Sequence, residues 1–240
     1  MRQLWLPVDL REDHLTLEPK RLRRLTKVLR MRPGATVTVA DGEGWVREYQ
    51  LTDTGLTGVG APRDRRAEKI RVHLAAGVLK GERQAWMIQK LTEVGVDRFH
   101  PLQLERCVVN VPAHKRQDRV ERWQQVATEA FEQCGRPMRP VVEAPTDLAG
   151  LLQRLPADCP VAACDEAGGV PAAQRWLQAL PADISDVCLV VGPEGGLTSR
   201  ERGLLRDHVS LGDAVLRAET AAMVVVWTAR LVLDDDAGRG

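Results

Sequence analysis

Leu189-Val190-Val191-Gly192-Pro193-Glu194-Gly195-Gly196-Leu197-Thr198-Ser199 is the stretch on which the fold turns. An apolar run of one buried strand's length ends in a turn built from three glycines and a proline. Thr198 or Ser199 then offers a side-chain oxygen to cap the free amides of a following helix. Ligands in open α/β sheets bind at the carboxyl ends of the strands, so this turn falls where a ligand is expected. Its glycines let backbone groups approach such a ligand without side-chain obstruction. No Lys-Ser/Thr pair follows, as a P-loop requires, and the spacing is not G-x-G-x-x-G. Nucleoside triphosphates and nicotinamide cofactors are therefore poorly supported. Taken alone, the turn reads either as a cofactor cradle or as a tight structural turn.

The surroundings of the turn alternate strand with helix. Ile70, Val72 and Leu74 open a strand, and a helix is expected over Glu82 to Val94 with Gly95 as its C-cap. Phe99–Leu104 is the next strand. Asp118 to Cys134 carries Val120, Trp123, Val126, Ala127, Ala130 and Phe131 on one helical face. Val161–Cys164 and Val187–Val191 read as buried parallel strands. Helices near Pro171–Leu180, Ser199–Asp207 and Glu219–Leu233 complete the alternation, and Asp234-Asp235-Asp236 reads as a frayed tail. Trp86 and Trp123 are expected in the core. The pattern predicts an α/β domain with a mostly parallel sheet over residues 70–240.

Residues 1–69 have a different rhythm and read as a small β-rich domain with one basic helix. Leu4, Leu6 and Val8 alternate as in a half-buried strand. Glu18-Pro19 opens a helix with proline near the first turn, where its missing N–H costs nothing. Leu22, Leu25, Val28 and Leu29 form its apolar stripe, and Lys20, Arg21, Arg23, Arg24, Lys27 and Arg30 cover much of the rest. Val37 and Val39 mark a strand, and Asp41-Gly42-Glu43-Gly44 turns the chain into Trp45–Leu51. Gly55, Gly58, Gly60 and Pro62, with the charged run Arg63–Lys69, read as a linker.

Composition narrows the class. The chain has 240 residues, 44% hydrophobic and 28% charged, ordinary values for a globular protein with a real core. No apolar run reaches the roughly 18–20 residues that span a bilayer. The N-terminus lacks the apolar stretch of a signal peptide. Five cysteines, scattered and never spaced C-x-x-C, read as reduced thiols and imply a cytoplasmic protein. The histidines His73, His100, His114 and His208 show no ligand spacing, so no metal is expected. Net charge is only +1, yet residues 1–71 hold 15 Lys/Arg against 10 Asp/Glu. That imbalance is either chance or the mark of a part that handles a polyanion.

A second loop lies beyond the first, Leu211-Gly212-Asp213-Ala214-Val215-Leu216-Arg217-Ala218-Glu219-Thr220-Ala221. By itself it reads as a polar turn before an apolar helix, capped by Glu219 or Thr220, with a possible surface salt bridge between Arg217 and Glu219. The two loops in succession, GPEGG and then L-R-A-E-T-A, resemble the ribosomal RNA small subunit methyltransferase E family of the knotted SPOUT methyltransferases. Lys80-Gly81, Gln89-Lys90-Leu91-Thr92-Glu93-Val94-Gly95, Arg106-Cys107-Val108 and Glu132-Gln133-Cys134-Gly135-Arg136 match further blocks of that family. Residues 1–69 resemble its PUA-like RNA-binding domain more loosely. Ala218 stands where many members have threonine, and Asp213-Ala214 where a basic residue or proline is common.

The resemblance implies a C-terminal domain closed by a trefoil knot, a homodimer, and S-adenosylmethionine bound through backbone groups. By position it assigns Gly192, Glu194, Gly195 and Gly196 to one wall of the cofactor site. Leu211, Leu216, Arg217, Glu219, Thr220 and Ala221 form the other. The implied reaction is methylation of N3 of a uridine in small-subunit ribosomal RNA, free or in the assembled subunit. Arg217 is the candidate for orienting the uracil or stabilising its oxygens, and Glu194 the candidate proton acceptor. Arg2, Arg21, Arg23, Arg24, Lys27, Arg30 and Arg32 are the expected grip on RNA phosphates. A related enzyme acting on transfer RNA and a non-catalytic RNA-binding protein are the competing readings.

Overall fold

The computed structural model describes residues 3–66, 70–165 and 170–236, with only the backbone given at 235 and 236. The chain forms two units, Met1–Ala67 with Phe131–Arg139, and Glu68–Ala130 with Pro140–Gly240.

In the first unit, β1 (Gln3–Trp5), β2 (His14–Thr16), α1 (Pro19–Arg23), β3 (Thr36–Ala40), β4 (Trp45–Leu51) and β5 (Gly55–Asp64) follow in order. The strands make one sheet in the order β1-β3-β4-β5-β2, parallel between β1 and β3 and antiparallel elsewhere. Leu4, Leu15, Leu25, Val37, Val39, Tyr49, Leu51 and Leu56 form its core. The expected strand through Val8 ends at Trp5, and Val8 is exposed. The basic helix is α1 followed by a π-helical turn over Arg24–Val28, and Arg30 leaves it with φ +54°.

The expected linker from Gly55 is instead the longest strand of the sheet, β5. Gly55 and Gly58 serve close approach and not flexibility. A Cβ at Gly55 would stand 2.1 Å from the Leu15 carbonyl oxygen, and one at Gly58 would stand 2.5 Å from the Arg47 guanidinium. Ala67–Lys69 of that run lie outside the described residues. Phe131–Arg139 groups with this unit because Phe131 buries beside Ala40 and Val46 and the Gln3 amide donates to the Arg136 carbonyl at 2.8 Å.

The second unit runs β6 (Arg71–Gly77), α2 (Glu82–Val94), β7 (Arg98–Leu102), α3 (Arg116–Cys134), β8 (Val141–Val142) and α4 (Leu148–Arg154). It continues with β9 (Val161–Cys164), α5 (Ala173–Gln178), β10 (Asp186–Val191), α6 (Ser199–Arg202), β11 (Asp207–Val209) and α7 (Ala218–Asp236). Its sheet, in the order β11-β9-β10-β6-β7-β8, is parallel throughout. This is an α/β fold with a parallel sheet, and the strand order reverses beside β10, every residue of which is buried. Val72 and Leu74 of β6 and Leu189 of β10 pack with Met87, Ile88 and Leu91 of α2 and Ala222, Val225, Val226 and Ala229 of α7. On the opposite face Ala75, Cys188 and Val190 pack with Leu148 and Leu151 of α4.

Local signals hold at several ends. Gly95 takes the left-handed C-cap of α2 with φ +114°. Thr198 and Glu201 form a reciprocal capping box on α6, the Thr198 hydroxyl accepting from the Glu201 amide and the Glu201 carboxylate from the Thr198 amide. Three expectations fail. The helix expected over Ser199–Asp207 stops at Arg202, because Asp207–Val209 is taken up as the edge strand beside β9. The acidic tail continues α7 to Asp236. Trp123 is buried, but Trp86 is 41% exposed, since α2 buries the arc of Gln84, Met87, Ile88 and Leu91 and Trp86 lies outside it. Among the described residues no helix is long and apolar enough to cross a membrane, and no group of three His, Cys, Asp or Glu could hold a metal.

Candidate functional site

At the carboxyl ends of β9 and β10 the second unit holds a cavity of about 420 Å³. That lies within the roughly 300–1,000 Å³ of ligand pockets. One wall is the turn after β10, from Val191 to Leu197, and the other is the loop from Leu211 to Ala218. The first wall is mostly backbone, for a steric reason. A Cβ at Gly192 would stand 3.1 Å from the Gly196 Cα and carbonyl carbon and from the Leu197 amide, and one at Gly195 would stand 3.2 Å from the Arg106 side chain. Gly196 closes the turn with φ +67° and its amide donates to the Pro193 carbonyl at 2.8 Å. A wall of this kind offers amides and carbonyls at contact distance, which suits a polar cofactor held by main-chain groups.

Eight of the expected cofactor residues line this cavity: Gly192, Glu194, Gly195, Gly196, Leu211, Leu216, Arg217 and Ala221. Glu219 and Thr220 do not. The helix α7 begins at Ala218, so Ala218 and Ala221, three residues apart, share the face toward the cavity while Glu219 and Thr220 turn away from it. Glu219 is buried and pairs with Arg83 of α2 instead of Arg217, with Arg83 Nε 3.1 Å from Oε1 and Nη2 2.5 Å from Oε2. The Arg83 hydrogen bonds hold the Glu219 carboxyl below the usual range, and the same contacts raise the guanidinium. Arg83 Nη1 also donates to Glu194 Oε1.

Four cavity residues escaped the sequence reading. Arg106 donates to the Gly195 carbonyl at 2.7 Å, pinning the glycine turn from outside. Asp165, directly after β9, has a side chain only 4% exposed that accepts from Arg202 Nη2 at 2.6 Å, and both residues line the cavity. Cys164 lines it too, and burial pushes its thiol up to about 12, so it stays protonated. Only the position of Cys164 and Asp165 at a strand's carboxyl end could have marked them. Arg83 and Arg106 reach partners 111 and 89 residues away, which no local pattern announces.

The basic residues of the first unit divide. Arg23, Lys27, Arg30 and Arg32 are exposed. Arg21 is spent on the Trp5 carbonyl at 2.5 Å, and Arg24 pairs with Glu132 at 3.0 Å. Arg2 lies outside the described residues. His73 and His100 lie buried away from the cavity lining, where they bond to each other.

A parallel α/β sheet with a backbone-walled cavity at its switch point is the architecture of a ligand-binding α/β domain, and residues 66–230 match the sequence model of the RNA methyltransferase domain. The chain is 33% identical over 239 residues to Ribosomal RNA small subunit methyltransferase E of Synechocystis sp., covering 95% of this chain and 76% of that one. To the protein of the same name from Bacillus subtilis it is 32% identical over 215 residues, 84% of each chain. The crystal structure of Ribosomal RNA small subunit methyltransferase E from Neisseria gonorrhoeae bound to S-adenosyl methionine superposes with a TM-score of 0.84 at 26% identity, covering 97% of this chain and 98% of that one. The chain belongs to the ribosomal RNA small subunit methyltransferase E family.

Proposed function

We propose that the protein methylates N3 of a uridine in 16S ribosomal RNA, using S-adenosylmethionine held between the 192–197 turn and the 211–218 loop. The observation that carries this reading is the cavity itself, walled by glycine backbone at Gly192, Gly195 and Gly196 in a chain of this family. When bound, the cofactor supplies an electrophilic methyl group on a sulfonium. The protein's part is to hold the acceptor in line and to manage the imide proton of N3. Arg217, exposed on the loop wall, orients the uracil and stabilises the oxygens as the proton leaves. Glu194, on the opposite wall, accepts that proton. The N3 edge is used in base pairing, so the target base is unpaired or extruded when it reaches the cavity.

The β-rich first unit acts as a PUA-like RNA-binding domain, with Arg23, Lys27, Arg30 and Arg32 free on its surface for phosphates. The substrate is ribosomal RNA, free or in the assembled small subunit, in the cytoplasm. The C-terminal segment is threaded as a trefoil knot; the neighbouring positions of the two cavity loops and the packing of α7 against β6 and β10 support this. The protein works as a homodimer. Trp227 and Leu231 stand half exposed on α7 and Trp86 on the adjacent α2, an apolar face of the sort that subunits cover.

The deciding experiment transfers labelled methyl from S-adenosylmethionine to small ribosomal subunits from a strain lacking the activity. Free ribosomal RNA and bulk transfer RNA serve as parallel substrates, with digestion to nucleosides. N3-methyluridine from the subunit or its RNA is the expected product. Label in transfer RNA alone would move the reading to another RNA, and no label with intact cofactor binding would remove it.

A further inference from the structure

We infer that Arg83 is a positioning residue that joins the glycine turn to the first turn of α7, and so sets the two walls of the cavity in one binding-competent arrangement. The inference rests on the cofactor reading above. Arg83 sits in the first turn of α2, outside both loops and outside the cavity lining. Its guanidinium reaches Glu194 of the glycine turn with Nη1 and both carboxylate oxygens of Glu219, at the start of α7, with Nε and Nη2. One fork thus ties the loop after β10, which is one wall of the cavity, to the first turn of α7, into which the other wall runs at Ala218. The Glu219 end is anchored, since that carboxylate is only 11% exposed, while the Glu194 end is 41% exposed and open to the cavity.

The bidentate half of this contact needs a planar guanidinium. A lysine in its place supplies one point charge and cannot hold both carboxylates in fixed geometry. Loops left uncoupled spend less time in the arrangement that fits the ligand. If the competent fraction falls to about a tenth, the apparent Kd rises about tenfold. A second contact reinforces the same wall: a Cβ at Gly77 would stand 3.0 Å from the Pro193 nitrogen, so the glycine turn already rests on the end of β6 and needs only its far side held.

The test is calorimetric binding of S-adenosylhomocysteine to the full chain and to Arg83→Gln, Arg83→Lys, Glu219→Gln and the double variant Arg83→Gln/Glu219→Gln. Melting temperatures and RNA affinity are measured alongside. Expected are a Kd raised about tenfold in Arg83→Gln and in Glu219→Gln, a smaller loss in Arg83→Lys, and no further loss in the double variant. RNA affinity stays at the wild-type value, and the cofactor KM rises more than kcat falls. A Kd within twofold of wild type in a folded Arg83→Gln overturns the proposal while leaving the methyltransferase reading intact. A double variant whose loss is the sum of the singles assigns Glu219 a contact independent of Arg83 and also overturns it. Should Arg83→Gln fail to fold, Arg83→Lys and Glu219→Gln carry the test, and wild-type affinity in both overturns it. Absence of binding by the wild-type chain would instead strike the cofactor reading.

Discussion

The Nδ1 of His73 and the Nε2 of His100 lie 3.1 Å apart in the buried interior of the second unit, with the two rings nearly parallel. One proton serves that contact, so one nitrogen donates and the other accepts. The far nitrogen of His73 faces Asp186 Oδ1 at 2.9 Å, and Asp186 is held in turn by Arg71 at 2.7 Å. Burial, then the neighbouring His73, Arg98 and Arg154, pushes the His100 pKa down to about 3, and burial lowers His73 as well. An unfolded histidine titrates near 6.5. Below that pH the unfolded chain binds protons that the folded chain refuses, so stability falls as pH drops from about 6.5 toward about 3. Urea melts should show a loss of about 2 kcal/mol between pH 7 and pH 5 from His100 alone. His100→Gln keeps a donor for His73 without the titration and should flatten that slope; an unchanged slope would refute the assignment.

Gly192→Ala should impair the cavity through backbone contact. The new methyl meets main-chain atoms at 3.1 Å on the opposite limb of the same turn, and these cannot rotate aside. We expect a cost of about 1–3 kcal/mol by overpacking, together with weakened cofactor binding. Gly203→Ala is the control, because its φ is −63° and the added Cβ would find only ordinary contacts from 3.4 Å. Calorimetry and thermal melts on both variants separate a local steric effect from a general intolerance of the region.

The surface arginines and lysines of the first unit should act on RNA alone. Arg23, Lys27 and Arg32 are exposed, whereas Arg21 and Arg24 are bound within the unit. Replacing the exposed three by alanine removes three phosphate partners. The slope of log affinity against log salt should then fall by about 2, taking about 0.7 for each contact to a single strand. Filter binding across a salt series measures it, with cofactor affinity expected to stay constant.

Arg47 should matter to the first unit far more than its ion pair suggests. Its guanidinium is buried and donates to the carbonyls of Gly60, Leu10 and Glu12 as well as to Asp13 at 2.5 Å. Tyr49 adds its hydroxyl to the Leu10 and Glu12 carbonyls. Arg47→Ala strands several acceptors and should cost about 3 kcal/mol. Asp13→Asn should cost little, because that carboxylate is 71% exposed. Equal losses in the two variants, by chemical denaturation, would contradict this order.

Trp227→Glu should shift the mass measured by light scattering from dimer to monomer, since it places a charge on the exposed apolar face of α7. A monomeric wild-type protein, or a variant that stays dimeric, would remove that face from the proposed subunit contact.

The amino-acid order alone determined those features that depend on neighbours along the chain. The strand–helix alternation after Ile70, the Gly95 stop and a cap at Thr198 or Ser199, of which the structure uses Thr198, follow from spacing and local hydrogen bonding. So do the two glycine-bearing loops whose succession points to the family. The tertiary structure decided what depends on residues far apart in sequence. Gly55 and Gly58 belong to a strand because Leu15 and Arg47 press against them, although glycines in a row read as a linker. Glu219 and Thr220 face away from the cavity because α7 starts one residue before them, and its 100° per residue hands the lining to Ala218 and Ala221. Arg83, and the pairing of His73 with His100, have no local pattern at all. Their partners are brought within bonding distance by sheet register and helix packing, and a hydrogen bond acts over ångströms of space regardless of how many residues separate its ends.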